Sequence, residues 1–349
     1  MSEAEKTAAE QFLPNDLYGL QLVLLASGSR LFQVVNALAE LGIADHLAGG
    51  PLPIAELAER AGAHEQALQR VLRATAMLGI FAEGPTGVFS STPVTKALTQ
   101  DNPHGVFPLI RYNHMELTSR PFEHMVHSLR IGEPAFQQAF GTTFNTYLEQ
   151  NPEADRFCDE FQTYWAKQFA EEELDQWDLG RFASIADLGG GDGYFLAQAL
   201  RRYQQMTAHL FDLPWMAKKA EQIFADHGVG DRADIIGGDL LTDRLPRGVE
   251  CYFVKAVFMR FSDEEALTAL RNIRAAIGDD ARARLLIVDS VLKPGNEWDH
   301  GKLLDLDMLV LHGGRKRTLD DWNALFSRTG FELLNEPIYH WDLLECRPV

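Results

Sequence analysis

The chain has 349 residues, 46% of them hydrophobic and 23% charged, with 32 Lys and Arg against 50 Asp and Glu and a formal net charge of −18. That length exceeds what one core ordinarily organises, so two domains or more are expected. The acidic field repels nucleic-acid phosphates and anionic lipid, which argues against a nucleic-acid-binding or membrane-surface role.

The opening residues, MSEAEKTAAEQF, contain no basic stretch leading into an apolar one and do not read as a secretory signal. The apolar stretch that follows is interrupted by Gln21, Ser27, Ser29, Arg30, Gln33 and Asn36, too polar for a membrane span. Cys158, Cys251 and Cys346 are odd in number and far apart, which suits neither a disulfide framework nor a CxxC metal site. A reducing cytoplasm is the expected location.

Helices are expected first. Leu31, Val34, Val35, Leu38 and Leu41 recur at helical spacing before Gly42. A helix-turn-helix pattern follows, with Ile54, Leu57 and Ala58 on one short helix, Gly62 at the turn, and Leu68, Val71, Leu72 and Met77 on a second. GIFAEGPTGVFSST then reads as a hairpin, completing a winged helix. Its second helix offers Gln66, Gln69, Arg70 and Arg73 outward, but beside Glu65 and in an acidic chain this favours dimerisation over DNA recognition. Residues 106–180 continue as an aromatic-rich helical connector contributing to the substrate pocket, between a first domain at 1–105 and a third segment at 181–349.

From residue 183 the rhythm changes. SIADLGGG, TAHLFDLP, ADIIGGD, CYFVKAVF and RLLIVDSVL read as strands that alternate with helices, and a terminal strand pair closes the chain. This predicts an α/β fold: a Rossmann-like, doubly wound, mostly parallel sheet with ligands at the carboxyl ends of its strands. The glycine loop Asp187-Leu188-Gly189-Gly190-Gly191-Asp192-Gly193-Tyr194 misses the dinucleotide fingerprint, because Tyr194 stands where the third glycine belongs. It suits instead a nucleoside with a zwitterionic tail. Asp212 closes the second strand, where a carboxylate meets ribose hydroxyls, and Asp239 with Leu240 follows the third, suited to an adenine ring. Three acids after three successive strands point to S-adenosyl-L-methionine, with the loop residues Asp187, Gly189 and Gly191, then Asp212, Leu213, Asp239 and Leu240, as the candidate contacts.

DLGGGDGYF, LFDLP, GGDLL, KAVF…FSDEEALTALRNI and DLDMLVLHGGRKRTLDDWNALFSRTGF together resemble the S-adenosylmethionine-dependent small-molecule O-methyltransferases, the two-domain type that dimerises through a winged N-terminal domain. The resemblance spans nearly the whole chain. It implies a homodimer, a small-molecule acceptor, no metal, and a cofactor contact at Lys255 made largely through its backbone. It also exposes a departure. The family usually carries Lys-x-Val-Leu-His-Asp-Trp, whose histidine removes the acceptor proton. Here Met259 takes that place, followed by Arg260 and Phe261, and Lys316 stands where a glutamate usually orients the histidine.

A thioether cannot accept a proton, so the expected chemistry is methyl transfer by positioning, to an oxygen or nitrogen of a planar secondary metabolite that needs no base. The alternative on the same scaffold is a non-methylating enzyme of hydroxylase or pericyclase type, in which Arg260 or Lys316 acts electrostatically. A winged-helix regulator is a further alternative. Arg260 reads more readily as a surface or structural cation than Lys316 does. His114, His124, His127, His300, His312 and His340 are replacement bases by residue type alone. His114, Phe161, Tyr164, Trp165, Asp307, Met308 and His312 are the candidates for the acceptor pocket.

Overall fold

The computed structural model describes residues 17–102, 104–336 and 340–349; within them the side chains of residues 17, 18, 20, 21, 165 and 340–342 are outside the description, among them Trp165 and His340. The chain divides into two compact units, residues 1–115 and 116–349.

The first unit is mainly helical. Helices α1 (Leu17–Ala26), α2 (Gly28–Glu40), α3 (Ile54–Arg60) and α4 (Glu65–Ala76) accompany a three-stranded sheet in which β1 (Leu52–Pro53) enters before α3, and β2 (Phe81–Glu83) and β3 (Val88–Ser91) follow α4, in the order β1-β3-β2. The β2–β3 pair is the wing that the sequence predicts. Ile54, Leu57, Ala58, Leu68 and Leu72 share its core with Leu38, Phe81 and Phe89. Met77 does not join them. It lies just past the end of α4 and is 72% exposed, so its place in the helical repeat did not translate into burial. Helix α5 (Phe107–His114), which the sequence assigns to the connector, packs on α2 within this unit.

The second unit holds the long helix α6 (Pro152–Gln176), then β4 (Ser184–Leu188), α7 (Tyr194–Arg202), β5 (Thr207–Asp212), α8 (Ala220–His227), β6 (Ala233–Gly237), β7 (Cys251–Lys255), α9 (Asp263–Ile277) and β8 (Arg284–Leu292). Helix α10 (His300–Asp307) runs into a π-helix (Met308–His312), and β9 (Arg317–Thr318), α11 (Leu319–Ser327), β10 (Phe331–Leu333) and β11 (His340–Pro348) follow. The sheet order is β10-β11-β8-β7-β4-β5-β6, with β9 beside β8; β6, β5, β4, β7, β8 and β9 are parallel, and β11 is antiparallel to β8. Alternation along the strands divides the core. Ala186, Leu188, Tyr252, Val254, Leu285 and Ile287 face α9 and α11, whereas Ile185, Leu210, Phe253, Leu286 and Val288 face α6, α7 and α8. The terminal strand pair is present, with its first strand shortened to Phe331–Leu333.

Two capping boxes fix the helices that flank the β7 loop. Ser262 accepts from the Glu265 amide while Glu265 returns the bond, and Thr318 and Asp321 do the same for α11. Each begins its helix within a few residues of a strand end, which leaves short, determined loops at the carboxyl side of the sheet.

Candidate active site

Parallel strands end together, and the loops after β4, β5, β6 and β7 gather at that edge. Gly189 leaves β4 at φ +82°, and a Cβ there would lie 2.3 Å from Val257 Cγ2, so the first turn and the β7 loop meet at a position that admits glycine alone. Asp212 ends β5 with both carboxylate oxygens anchored: Oδ2 accepts from the Gly191 amide at 2.8 Å and Oδ1 from the Leu213 amide at 2.7 Å. Each oxygen keeps a second lone pair. Burial pushes the Asp212 carboxyl up in pKa, and these two amide bonds pull it back.

Asp187, 2% exposed, lies behind the loop, and its pKa is pushed up to about 7, first by burial, then by the charge of Asp212, against the Lys255 ammonium. Asp239 accepts from the Leu241 amide at 2.8 Å, and its own amide donates to Asp243, while Leu240 is buried beside it. A rigid glycine turn with two half-buried strand-end carboxylates, each with lone pairs to spare, fits a nucleoside bearing hydroxyl and amino donors. Lys255 turns its side chain away from this edge, into an ion pair with Glu173 and over the rings of Phe195 (4.6 Å) and Trp177 (5.5 Å). Its backbone is therefore what remains for a ligand. The sequence reading missed Glu173, which lies on α6 with no local signal linking it to β7.

After β7 the chain makes a 3₁₀ turn, Phe258–Arg260, that carries Met259 and Arg260. Three contacts hold it. A Cβ on Gly314 would come within 2.3 Å of both the Met259 carbonyl oxygen and the Arg260 carbonyl carbon, so two backbones touch there. Arg317, fully buried, donates to the carbonyls of Phe258 at 2.8 Å and Phe261 at 2.9 Å while pairing with Asp263. Lys316 Nζ lies 2.8 Å from Met259 Sδ.

That lysine departs from the sequence expectation. It is 1% exposed and its ammonium is committed to Asp289 at 2.9 Å and Ser290 Oγ at 3.3 Å. Arg260, expected to be the surface cation of the two, is half-buried, and its guanidinium makes no hydrogen bond or ion pair among the described residues. Its charge reaches Cys158 on α6 and Asp212 at the end of β5, where it opposes a rise in pKa caused mainly by burial, and His312 in the π-helix, where it adds to the lowering that burial causes. The expectations for the two cations are thus exchanged. Asp289 was missed by the sequence reading, although an acid within the buried run IVDSV signals a partner that the chain must supply.

Among the acceptor candidates, Asp307 closes α10, half-buried and without a hydrogen bond among the described residues, and burial pushes its pKa up to about 6. Met308 is buried. The His312 ring packs edge-on to Phe144, centroids 4.5 Å apart, and burial, then Arg260, hold its pKa well below the ordinary imidazole value. Phe161 and Tyr164 are half-buried on α6, and the Trp165 side chain is outside the described residues. His114 belongs to the first unit, its ring 6.4 Å from that of Phe32. Among the described residues no cluster of three or more His, Cys, Asp or Glu is arranged to hold a metal, and no helix is long and apolar enough to cross a membrane.

Fold and site together define a Rossmann-like α/β unit whose glycine turn and strand-end carboxylates at β4, β5 and β6 have the donors and acceptors to hold a nucleoside. The O-methyltransferase domain model matches residues 122–332 and the O-methyltransferase dimerisation domain model residues 23–101. The chain is 38% identical over 330 residues to the phenazine O-methyltransferase PhzM of Lysobacter antibioticus, covering 94% of this chain and 96% of that one. It is 35% identical over 319 residues to the 8-amino-8-demethylriboflavin N,N-dimethyltransferase of Streptomyces davaonensis, covering 90% and 91%. Its structure resembles that of NcsB1, an O-methyltransferase from neocarzinostatin biosynthesis in complex with S-adenosylmethionine and 2-hydroxy-5-methyl naphthoic acid (TM-score 0.76, 28% identity, 91% and 96% covered). The protein belongs to the S-adenosylmethionine-dependent O-methyltransferase family and is a methyltransferase whose winged N-terminal unit is the family's dimerisation domain.

Proposed function

We propose that this enzyme, as a homodimer, methylates an oxygen or nitrogen of a planar aromatic secondary metabolite, and that it does so by positioning rather than with a histidine base. The observation that carries the second part is Met259, held with its sulfur 2.8 Å from the buried Lys316 ammonium. Neither group accepts a proton: the thioether has no basicity and the ammonium is already charged. The three relatives above are named for a phenazine, an aminoriboflavin and a naphthoic acid, all flat conjugated rings.

S-adenosylmethionine, when bound, supplies an electrophilic methyl group on a sulfonium. In this reading Asp212 accepts from the ribose hydroxyls, its oxygens already oriented by the Gly191 and Leu213 amides. Asp239 receives the adenine amino group, with Leu240 against the ring, and Gly189 and Lys255 contribute backbone. The clamped Met259 turn and the Met308 side chain form apolar wall, which excludes water and aligns the acceptor. The three cysteines are buried and unpaired, which accords with a reducing cytoplasm.

The test is incubation with methyl-deuterated S-adenosylmethionine, 1-hydroxyphenazine and a metabolite extract, read by mass spectrometry. A labelled product with matching S-adenosylhomocysteine is expected, and fragmentation identifies the methylated atom. A product that requires enzyme and cofactor yet gains no label would transfer the assignment to the non-methylating reading.

A further inference from the structure

Among the described residues, the buried and half-buried cations near the carboxyl end of the sheet are paired, with one exception. Lys219 bonds Asp155 at 2.7 Å and Asp159 at 2.6 Å, Lys255 pairs with Glu173, and Lys316 pairs with Asp289 at 2.9 Å. Arg317 is held by Asp263 at 2.9 Å and by backbone carbonyls. Arg260 alone of this group keeps five N–H donors without a protein acceptor among the described residues. In a chain with 50 acidic and 32 basic side chains, a half-buried guanidinium with no carboxylate beside it is costly unless something else completes it.

Its placement says where that partner sits. The turn that carries Arg260 is clamped by Gly314 and by Arg317, so the Cα position is fixed. The guanidinium acts on groups from three separate elements, Cys158 of α6, Asp212 of β5 and His312 of the π-helix. These elements lie at the edge where the cofactor reading puts the reacting centre, and Asp212 is not the partner: its hydrogen bonds run to the Gly191 and Leu213 amides and none to Arg260. Arginine in such a position matches a planar oxyanion, two N–H groups to two oxygens or one oxygen between them.

We propose that Arg260 is the acceptor-recognition residue of this enzyme, and that the acceptor is a planar aromatic molecule carrying an ionised oxygen, a carboxylate or an acidic hydroxyl. The inference rests on the methyltransferase reading above and adds the charge of the substrate to it. Where the ionised oxygen is itself the methyl acceptor, this also accounts for the absent base, because that nucleophile has no proton to remove; a carboxylate elsewhere on the ring would only orient the acceptor.

Binding, not turnover, is the test, so that it fails separately from the labelling experiment. Calorimetry or fluorescence titration at pH 7.5, with S-adenosylhomocysteine present, would compare matched acid and amide pairs on naphthalene, phenazine and anthraquinone rings, and 4-nitro-1-naphthol with its methyl ether. At least one charged member should bind tenfold or more tightly than its neutral partner in the wild type. Arg260→Gln should abolish that preference, and Arg260→Lys should retain part of it, with thermal midpoint and circular dichroism unchanged in both. Equal or absent binding across every pair, or a preference that survives in Arg260→Gln, overturns the proposal. S-adenosylhomocysteine affinity is the second arm. A tenfold loss there in Arg260→Gln, with the acid preference intact, would assign the guanidinium to the cofactor's own carboxylate and overturn the acceptor assignment.

Discussion

Replacing Lys316 by methionine while keeping Asp289 isolates the buried pair behind Met259. The two charges are 2.9 Å apart with side-chain exposures of 0% and 2%. At an effective dielectric constant near 20 their attraction is about 6 kcal/mol, most of it offset by the desolvation of both groups. Removing the lysine leaves the desolvation of Asp289 uncompensated, and breaking such a pair typically costs about 3–5 kcal/mol. For a unit of this size that corresponds to a fall in Tm of about 10 °C. The double variant Lys316→Met/Asp289→Leu should recover most of the loss, because no unpaired charge stays inside. Urea unfolding followed by tryptophan fluorescence measures the four proteins of the cycle, wild type, Lys316→Met, Asp289→Leu and the double variant. A single-variant loss below about 1 kcal/mol, or a double variant that loses the sum of the two singles, would refute the view that the pair is desolvated and mutually dependent.

Asp187 makes stability depend on pH. Its folded pKa of about 7 lies above the unfolded value, so the native state holds a proton that the unfolded chain has released, and stability declines as pH rises from about 4 through 7, by up to about 1.4 kcal/mol per unit. Asp187→Asn should therefore gain on the wild type steadily across that window in denaturation midpoints, and a constant difference would show that the carboxyl is not desolvated. Asp212→Asn keeps the shape but removes the charge that would meet two ribose hydroxyls, worth about 1.5–3 kcal/mol, so S-adenosylhomocysteine should bind roughly 10- to 150-fold more weakly by calorimetry. Unchanged affinity would remove Asp212 from the cofactor site. Met259→His should change turnover of the native acceptor by less than about threefold if that acceptor needs no base, and a gain above about tenfold would restore the base-dependent reading.

The parallel strands were legible because they are short apolar runs that break off sharply, β4 at Gly189, β5 at Asp212 and β7 at Lys255, and an open α/β sheet gathers those ends. That rule alone singles out Asp212 and Asp239, and the structure sets both at that edge with amide-oriented carboxylates. What the sequence could not show is which way a charged side chain turns. Lys316 and Arg260 are both cations standing at family positions where an acid is usual, and spacing gives no reason to separate them. The separation comes from β8, which is buried along nearly its whole length and places Asp289 inside the sheet, where its charge requires a cation from elsewhere in the chain. Lys316, 27 residues later, supplies it and is thereby withdrawn from solvent. With that lysine committed and Arg317 spent on the Met259 turn, the half-buried cation without a partner among the described residues is Arg260, the one that looked most like surface. The substitution of methionine for histidine is visible in one dimension; the relocation of positive charge that accompanies it depends on a strand, a π-helix and a turn that are brought together only by the fold.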